Sequence, residues 1–484
     1  MNIIFIMIDT MRYDYIGANG ATQVETPNID RLAEHSWCFD RAFCASFPTI
    51  PCRNDVMTGR YGGPFHPWKP LPFDVPTFPA MLGEAGYATQ VIHDTPHLVN
   101  GGHNFDWPFH AWTFVRSAEV DRPWVTDSDS WPPNWRLDPL FDCLGKEGLH
   151  TLHTRSYAPA NRNRIKDSDW NCSQLFETAS EFLRDNKNRA NFFLYLDCFD
   201  PHEPWDAPPE FMRRYNDTPG YDGLVDPRSL FWLRNDSRLS DEARRLMAAQ
   251  YPAKVAWMDH CFGTFLDTLE STGLIDSTAI IFTGDHGTNV GERGKLGKGA
   301  PVREQEGHVP LFIRMPEGDT GRSDIIVQPQ DFFATVMGMA GQKVRDDITS
   351  HDVLSAARAG ESGRSIGLAG MGANSWNATD DQGEPAILFT AFTDEWVLEV
   401  AQKPEHSRLS KLGSLEYEEL QHPDIVSDLH IASVQEIARR GIDPGLLEWL
   451  RNGEGDPPEG CRFWDGWPGQ PGFHAYFRDI YTGP

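Results

Sequence analysis

Two apolar runs that each close on an acid constrain this chain more than any other feature. Ile3 to Ile8 runs into Asp9, and Ala279 to Thr283 runs into Gly284, Asp285, His286 and Gly287. Both have strand length, and they belong to a longer alternation of strand-like and helix-like stretches. In order these are Ile3 to Ile8, Asn28 to Ser36, Thr77 to Ala85, Thr89 to Ile92, Ser173 to Asp185, Phe192 to Leu196, Ala248 to Ser271, Ala279 to Thr283 and Leu311 to Arg314. Such alternation predicts an α/β fold with a parallel, doubly wound sheet between helices. Functional loops then belong at the carboxyl ends of the strands, where both acids fall.

The pattern changes near residue 385. Short strand-like pieces, Ala386 to Phe392 and Trp396 to Ala401, precede a helix-like stretch from Val434 to Arg440. We expect a catalytic α/β domain over 1–380, with an insertion at about 101–170 rich in Trp, Pro and Asp. A small α+β subdomain over 381–459 follows, then an aromatic arm over 460–484. The arm, from Phe463 to Tyr481, is too aromatic to leave wet and too rich in Gly and Pro for a core of its own, so it should pack on a neighbouring subunit of a homodimer or homotetramer.

With 484 residues and 40% apolar content, the chain can bury a large core. Its net charge of −27 is dispersed, which excludes a nucleic-acid or anionic-membrane surface as the main partner. An anionic substrate therefore needs a local positive site. The eight cysteines show no metal-type C-x-x-C spacing and no dense framework, so reduced thiols in a cytoplasmic setting are expected. The first residues lack the basic start and cleavage site of a signal peptide, and no apolar run approaches a membrane span.

Two acids at strand ends of one sheet can converge on a divalent cation. Asp9 and Asp285 are the acidic ligands, with His286 beside them and Thr49 completing the sphere. Thr49 opens the stretch Thr49-Ile-Pro-Cys-Arg53, which reads as a nucleophile-bearing turn running into a helix that ends at Thr58-Gly59-Arg60.

This stretch resembles the sulfatase signature, Cys-x-Pro-x-Arg followed seven residues later by the Arg of Thr-Gly-Arg. Pro51, Arg53 and Arg60 fall on the pattern, and Thr49 stands where sulfatases carry Cys or Ser. Thr26 to Leu32, Asp200-Pro-His202, the Asp285-His286-Gly287 box and Lys298 follow the order of the sulfatase branch of the alkaline phosphatase superfamily. The resemblance covers roughly residues 1–340. It implies a large mixed sheet between helices, a small C-terminal antiparallel sheet, and one divalent metal ion: manganese, calcium or zinc. A single acid at the first strand end, Asp9 followed by Thr10, is closest to the phosphonate monoester hydrolases.

By family position the catalytic set is Thr49, Arg53, His202 and Lys298. Ile92-His93-Asp94-Thr95 occupies the place of a Gly-Lys-x-His box, which makes His93 and Thr95 candidate substrate-binding residues. Arg293 takes the place of a frequent His, and His308 stands where Arg is common, so both are candidates for the same role. A second cation held by Asp197 or Asp200 with His202 is an open alternative.

Sulfatases convert the signature Cys to formylglycine, whose hydrate expels sulfate by collapsing to the aldehyde. Thr49 cannot follow that route. The leading expectation is therefore a metal-dependent hydrolase of phosphodiesters or phosphonate monoesters working through phospho-threonine. The alternatives are a sulfuric ester hydrolase, an inactive Cys-to-Thr form of one, or a non-catalytic sulfatase-like binding protein. In each enzymatic reading the partner is a small anionic ester.

Overall fold

A computed structural model describes the chain except for residues 100–101, 122, 125–130, 146–148, 150–151, 231–236, 374–375, 381 and 459–484. The expected intersubunit arm thus lies outside the described residues. The strands are β1 (Asn2–Ile8), β2 (Trp37–Phe43), β3 (Ala88–His93), β4 (Ala111–Phe114), β5 (Phe192–Cys198), β6 (Thr278–Gly284), β7 (Asn289–Val290), β8 (Leu296–Gly297), β9 (His308–Val309), β10 (Leu311–Arg314) and β11 (Gly321–Val327), followed by β12 (Gly367–Ala369), β13 (Ile387–Phe392), β14 (Trp396–Ala401) and β15 (Arg408–Lys411).

The large sheet has nine strands, eight of them in the order β11-β2-β10-β6-β1-β5-β3-β4, with β9 paired to β2. Five neighbours, β6, β1, β5, β3 and β4, run parallel. β10 is antiparallel to both β6 and β2, which makes the sheet mixed, as the family resemblance implied, where the strand–helix alternation alone had favoured a parallel sheet. The connection from β6 to β10 carries the β7–β8 hairpin and the single helical turn Glu304–Gly307 but no long crossover helix, which a parallel return would need. β2 and β11 went unforeseen. Half-buried residues interrupt the apolar residues of both, so neither carries the unbroken run of the central strands.

β1, β5 and β6 are buried at every position, which is why their sequences do not alternate. One face of the sheet packs on the helices Asn171–Asp185 and Gln250–Ser271. The other packs on Thr49–Thr58, Phe78–Glu84 and Asp331–Met339. Strands β12 to β15 form a separate four-stranded antiparallel sheet. Its core is closed by the helices Pro423–Arg439 and Pro444–Asn452. Part of the insertion joins the large sheet as β4, and part forms the helix Leu152–Asn161.

Candidate active site

Register brings three acids to one edge. In β1 the pairs Met7 with Asp197 of β5 and Ile8 with Gly284 of β6 put Asp9, Asp197 and Asp285 side by side at parallel strand ends. All three side chains are fully buried. Thr10 ties two of them together: its N–H donates to Asp285 Oδ1 at 2.9 Å and its hydroxyl to Asp9 Oδ1 at 2.7 Å. It does so at φ 63°, a left-handed conformation that a β-branched residue adopts only under constraint.

Arg53 enters this cluster from the helix Thr49–Thr58, all ten residues of which are buried. The helix stops at Gly59, at φ 65°, where an added Cβ would lie 2.7 Å from the side chains of Phe333 and Ile348, so glycine is required. Arg53 donates to Asp197 through Nε at 2.7 Å and Nη2 at 2.8 Å, and to Asp285 through Nη1 at 2.6 Å. Its Nη2 is also 3.2 Å from Asp9 Oδ2, and Nη1 donates to the Thr49 carbonyl at 3.1 Å. Burial works against the charge on Arg53, but Asp197, Asp285 and Asp9 outweigh it, so the guanidinium stays a cation.

One guanidinium among three carboxylates leaves a formal excess of two negative charges with no exposure to water. Such an excess is costly unless a further cation answers it. The donor set fits a divalent ion. Ligand atoms of Asp9, Asp285 and His286 lie within 4.8 Å of one another, the one such group among the described residues. His286 Nδ1 sits 2.9 Å from the Gly287 carbonyl, which fixes the proton there and leaves Nε2 without a hydrogen-bond partner among the described residues. Asp9 Oδ2 accepts no hydrogen bond either. Burial, and then Lys298, push the His286 imidazole down to about 3, so it is neutral, as a ligand must be. Thr49, 2% exposed, is the first residue of its helix, where the helix dipole favours an anion.

Lys298 Nζ donates to Thr10 Oγ1 at 2.6 Å and lies 3.2 Å from Glu203 Oε2. His202 Nδ1 is 2.6 Å from the Glu203 carbonyl, and its ring stacks on Phe199 at 4.1 Å. Burial opposes ionisation of Glu203, but Lys298 and His202 prevail and hold the carboxyl below its usual range. Thr10 and Glu203 thus join a site to which sequence reasoning had not assigned them, and Asp197, raised there only as a ligand of an alternative second cation, is instead the partner of Arg53. Asp197 carried a signal, since Phe192 to Leu196 is a third apolar run closing on an acid. Glu203 sits inside the Asp200-Pro-His202 box.

The remaining candidates are placed less centrally. Thr95 gives its hydroxyl to Asp197 Oδ1 at 2.5 Å, so it supports the partner of Arg53. His93 is 1% exposed, stacks on Phe114 and holds Nδ1 3.1 Å from the Thr95 carbonyl, while its Nε2 has no hydrogen-bond partner among the described residues. Arg293 turns to the C-terminal sheet: it donates to the Leu415 carbonyl at 3.0 Å and lies 4.0 Å over the Tyr417 ring. His308 stacks on Tyr13 at 3.9 Å and lines a separate cleft of about 530 Å³ with Arg12, Asp40 and Glu304. Neither has a hydrogen bond or ion pair to the acids, Arg53, His202 or Lys298 among the described residues. In the alternative second-cation set, both Asp197 oxygens are taken by Arg53 and Asp200 pairs with Lys254 at 3.0 Å.

The chain is 27% identical to human iduronate 2-sulfatase over 65% of its own length, and spans 60% of that relative. It is 25% identical to an arylsulfatase of Clostridium perfringens over 72% of this chain and 76% of the other. Its fold matches the phosphonate monoester hydrolase of Agrobacterium radiobacter with a TM-score of 0.67 at 18% identity, over 91% of this chain and 96% of that one. The sulfatase family model matches residues 1–342, so the chain belongs to the sulfatase family.

Proposed function

We propose that the protein is a metal-dependent sulfuric ester hydrolase. The observation that carries a hydrolytic reading is the buried cluster of Asp9, Asp285, His286 and Arg53 facing the start of the Thr49 helix. Relatives named as sulfatases support sulfate as the transferred group. Asp9, Asp285, His286 and Thr49 are the residues that would hold a divalent ion, with an oxygen and nitrogen donor set that suits manganese or zinc better than calcium. When bound, the ion supplies positive charge to the ester oxygens and lowers the pKa of the attacking hydroxyl.

The chain's own residues divide the remaining work. Thr49 Oγ attacks sulfur in line with the leaving alkoxide, so one oxygen–sulfur bond forms as the other breaks, and the Thr49 hydroxyl proton passes to solvent. Arg53 holds the Thr49 carbonyl and both acids in register. His202 or Lys298 donates the proton that the leaving oxygen takes up. Water then attacks the sulfo-threonine at sulfur and restores Thr49.

A second reading, hydrolysis of a phosphodiester or phosphonate monoester, has one specific support, Thr49 itself. An unmodified threonine lacks the hydrate's escape route, and a phospho-threonine is opened by water more readily than a sulfo-threonine. Matched aryl sulfate, phosphodiester and phosphonate substrates with one leaving group separate the two. The sulfatase reading expects repeated turnover and the highest kcat/KM on the sulfate. A single sulfate turnover beside many phosphoester turnovers overturns it in favour of the second.

A further inference from the structure

Beyond Gly59, the chain that leaves the nucleophile helix enters a place rich in positive charge. A cavity of about 610 Å³ is lined by Arg60, Tyr61, His351, Arg364, Arg439 and Arg440, and it shares no residue with the cluster around Arg53. Four guanidiniums meet three carboxylates here. Arg364 forks onto Asp331 with two bonds of 2.7 Å, Arg60 pairs with Asp347, and Arg439 and Arg440 share Glu436 at 3.3 Å. In a chain of net charge −27, a local excess of arginine is a departure that needs a reason.

Arg440 sharpens it. Its side chain is 4% exposed, its guanidinium lies 3.5 Å over the Tyr61 ring, and Nε and Nη2 both reach Glu436 Oε1. Its Nη1 is buried with no hydrogen-bond partner among the described residues, and so is Arg60 Nε. Packing on Tyr61 accounts for the face of the guanidinium but not for its bare donor. Leaving a charged donor dry costs free energy that an acceptor would recover. Arginine forks match tetrahedral oxyanions, which present several acceptors at once.

We propose that this cavity is a second anion site, binding a tetrahedral oxyanion, sulfate or phosphate, separately from the catalytic cluster. The group is either free in solution or the terminal group of a larger ester. Equilibrium dialysis of the full-length protein at low salt, with labelled inorganic sulfate and inorganic phosphate, tests it. Asp285→Ala, which disables the catalytic cluster, should still bind one anion per chain. Arg440→Gln should weaken that binding by about tenfold or more while ester hydrolysis persists. Arg439 is 74% exposed, so Arg439→Glu keeps the test alive if the buried substitution does not fold. Competition by a monosaccharide sulfate and a monosaccharide phosphate distinguishes the sources. Competition tighter than that of the free ions marks a larger ligand, and weaker competition marks the free anion. Loss of all anion binding in Asp285→Ala, or wild-type binding in both arginine variants, overturns the proposal.

Discussion

Two buried charge clusters lie next to each other in this protein, and they are balanced differently. At the strand ends, Asp9, Asp197 and Asp285 face one cation, Arg53. Behind the His202 loop, Asp200 and Asp206 face two: Lys254 lies 3.0 Å from Asp200 and 3.5 Å from Asp206, and Arg164 lies 3.1 Å from Asp206. Tyr157 donates to Asp206 as well, at 2.8 Å. Burial and Asp200 push the carboxyl of nearby Asp94 up to about 8, so at neutral pH it adds little charge there. The second cluster is balanced in formal charge, two acids against two cations, and acts as a brace, fastening the His202 loop to the Leu152–Asn161 region. The first is short of positive charge. In a buried network, a deficit of this kind separates a place that takes a cation from a place that holds the fold.

The largest expected effects fall in the unbalanced cluster. Thr49→Ala should lower turnover by roughly three orders of magnitude, because it removes the nucleophile. Steady-state kinetics on the preferred ester would check it, and near-normal turnover would show that water attacks directly. Mass spectrometry of quenched reactions should find the transferred group on the Thr49 peptide.

Next comes Lys298→Ala, which frees Thr10 Oγ1 and leaves Glu203 without its cation. A drop in kcat of about a hundredfold is expected, the usual scale for one proton donor or charge in a site. A change confined to KM would instead assign Lys298 to ground-state binding.

The balanced cluster should answer in stability rather than chemistry. Lys254→Met strands Asp200 in a dry interior and leaves Asp206 to Arg164 and Tyr157 alone, at a cost of about 3 kcal/mol or more. Urea unfolding would read that loss, and metal content should not change. Metal loss at unchanged stability would erase the distinction between the clusters.

The smallest effect concerns His93, whose imidazole burial pushes down to about 4. The unfolded chain protonates a histidine near about 6.5, so the neutral buried ring contributes fully above that pH, and the contribution is lost as pH falls toward 4. His93→Gln should flatten the acid limb of the stability profile by about 1–2 kcal/mol between pH 7 and 5. Parallel profiles for the two proteins would remove His93 from that limb.

How much of this was legible in the sequence depends on what fixes each residue. Asp9 and Asp285 end long apolar strands, and Thr49 and Arg53 lie in a signature turn, so local pattern located them. Asp197 ends a strand of the same kind, but only the order β6-β1-β5 makes it a neighbour of Asp9 and a partner of Arg53. Thr10 looked like a departure from paired acids, and its role depends on a left-handed backbone that no pattern announces. Arg293 and His308 show the opposite case. Their direction is set by packing on the C-terminal sheet and on Tyr13, beyond the strands that aim the site. β2 and β11 were missed for a related reason, since a partly exposed strand needs no continuous apolar run.

The central claim is that the charge deficit of the Asp9, Asp197, Asp285 cluster is met by one divalent cation. The direct test is elemental analysis of full-length wild type, Asp285→Ala and Lys254→Met after incubation with excess metal and exhaustive dialysis. The account predicts one divalent ion per chain in wild type and in Lys254→Met, and none in Asp285→Ala. Stoichiometric metal in Asp285→Ala, or a wild type that holds none, would contradict it.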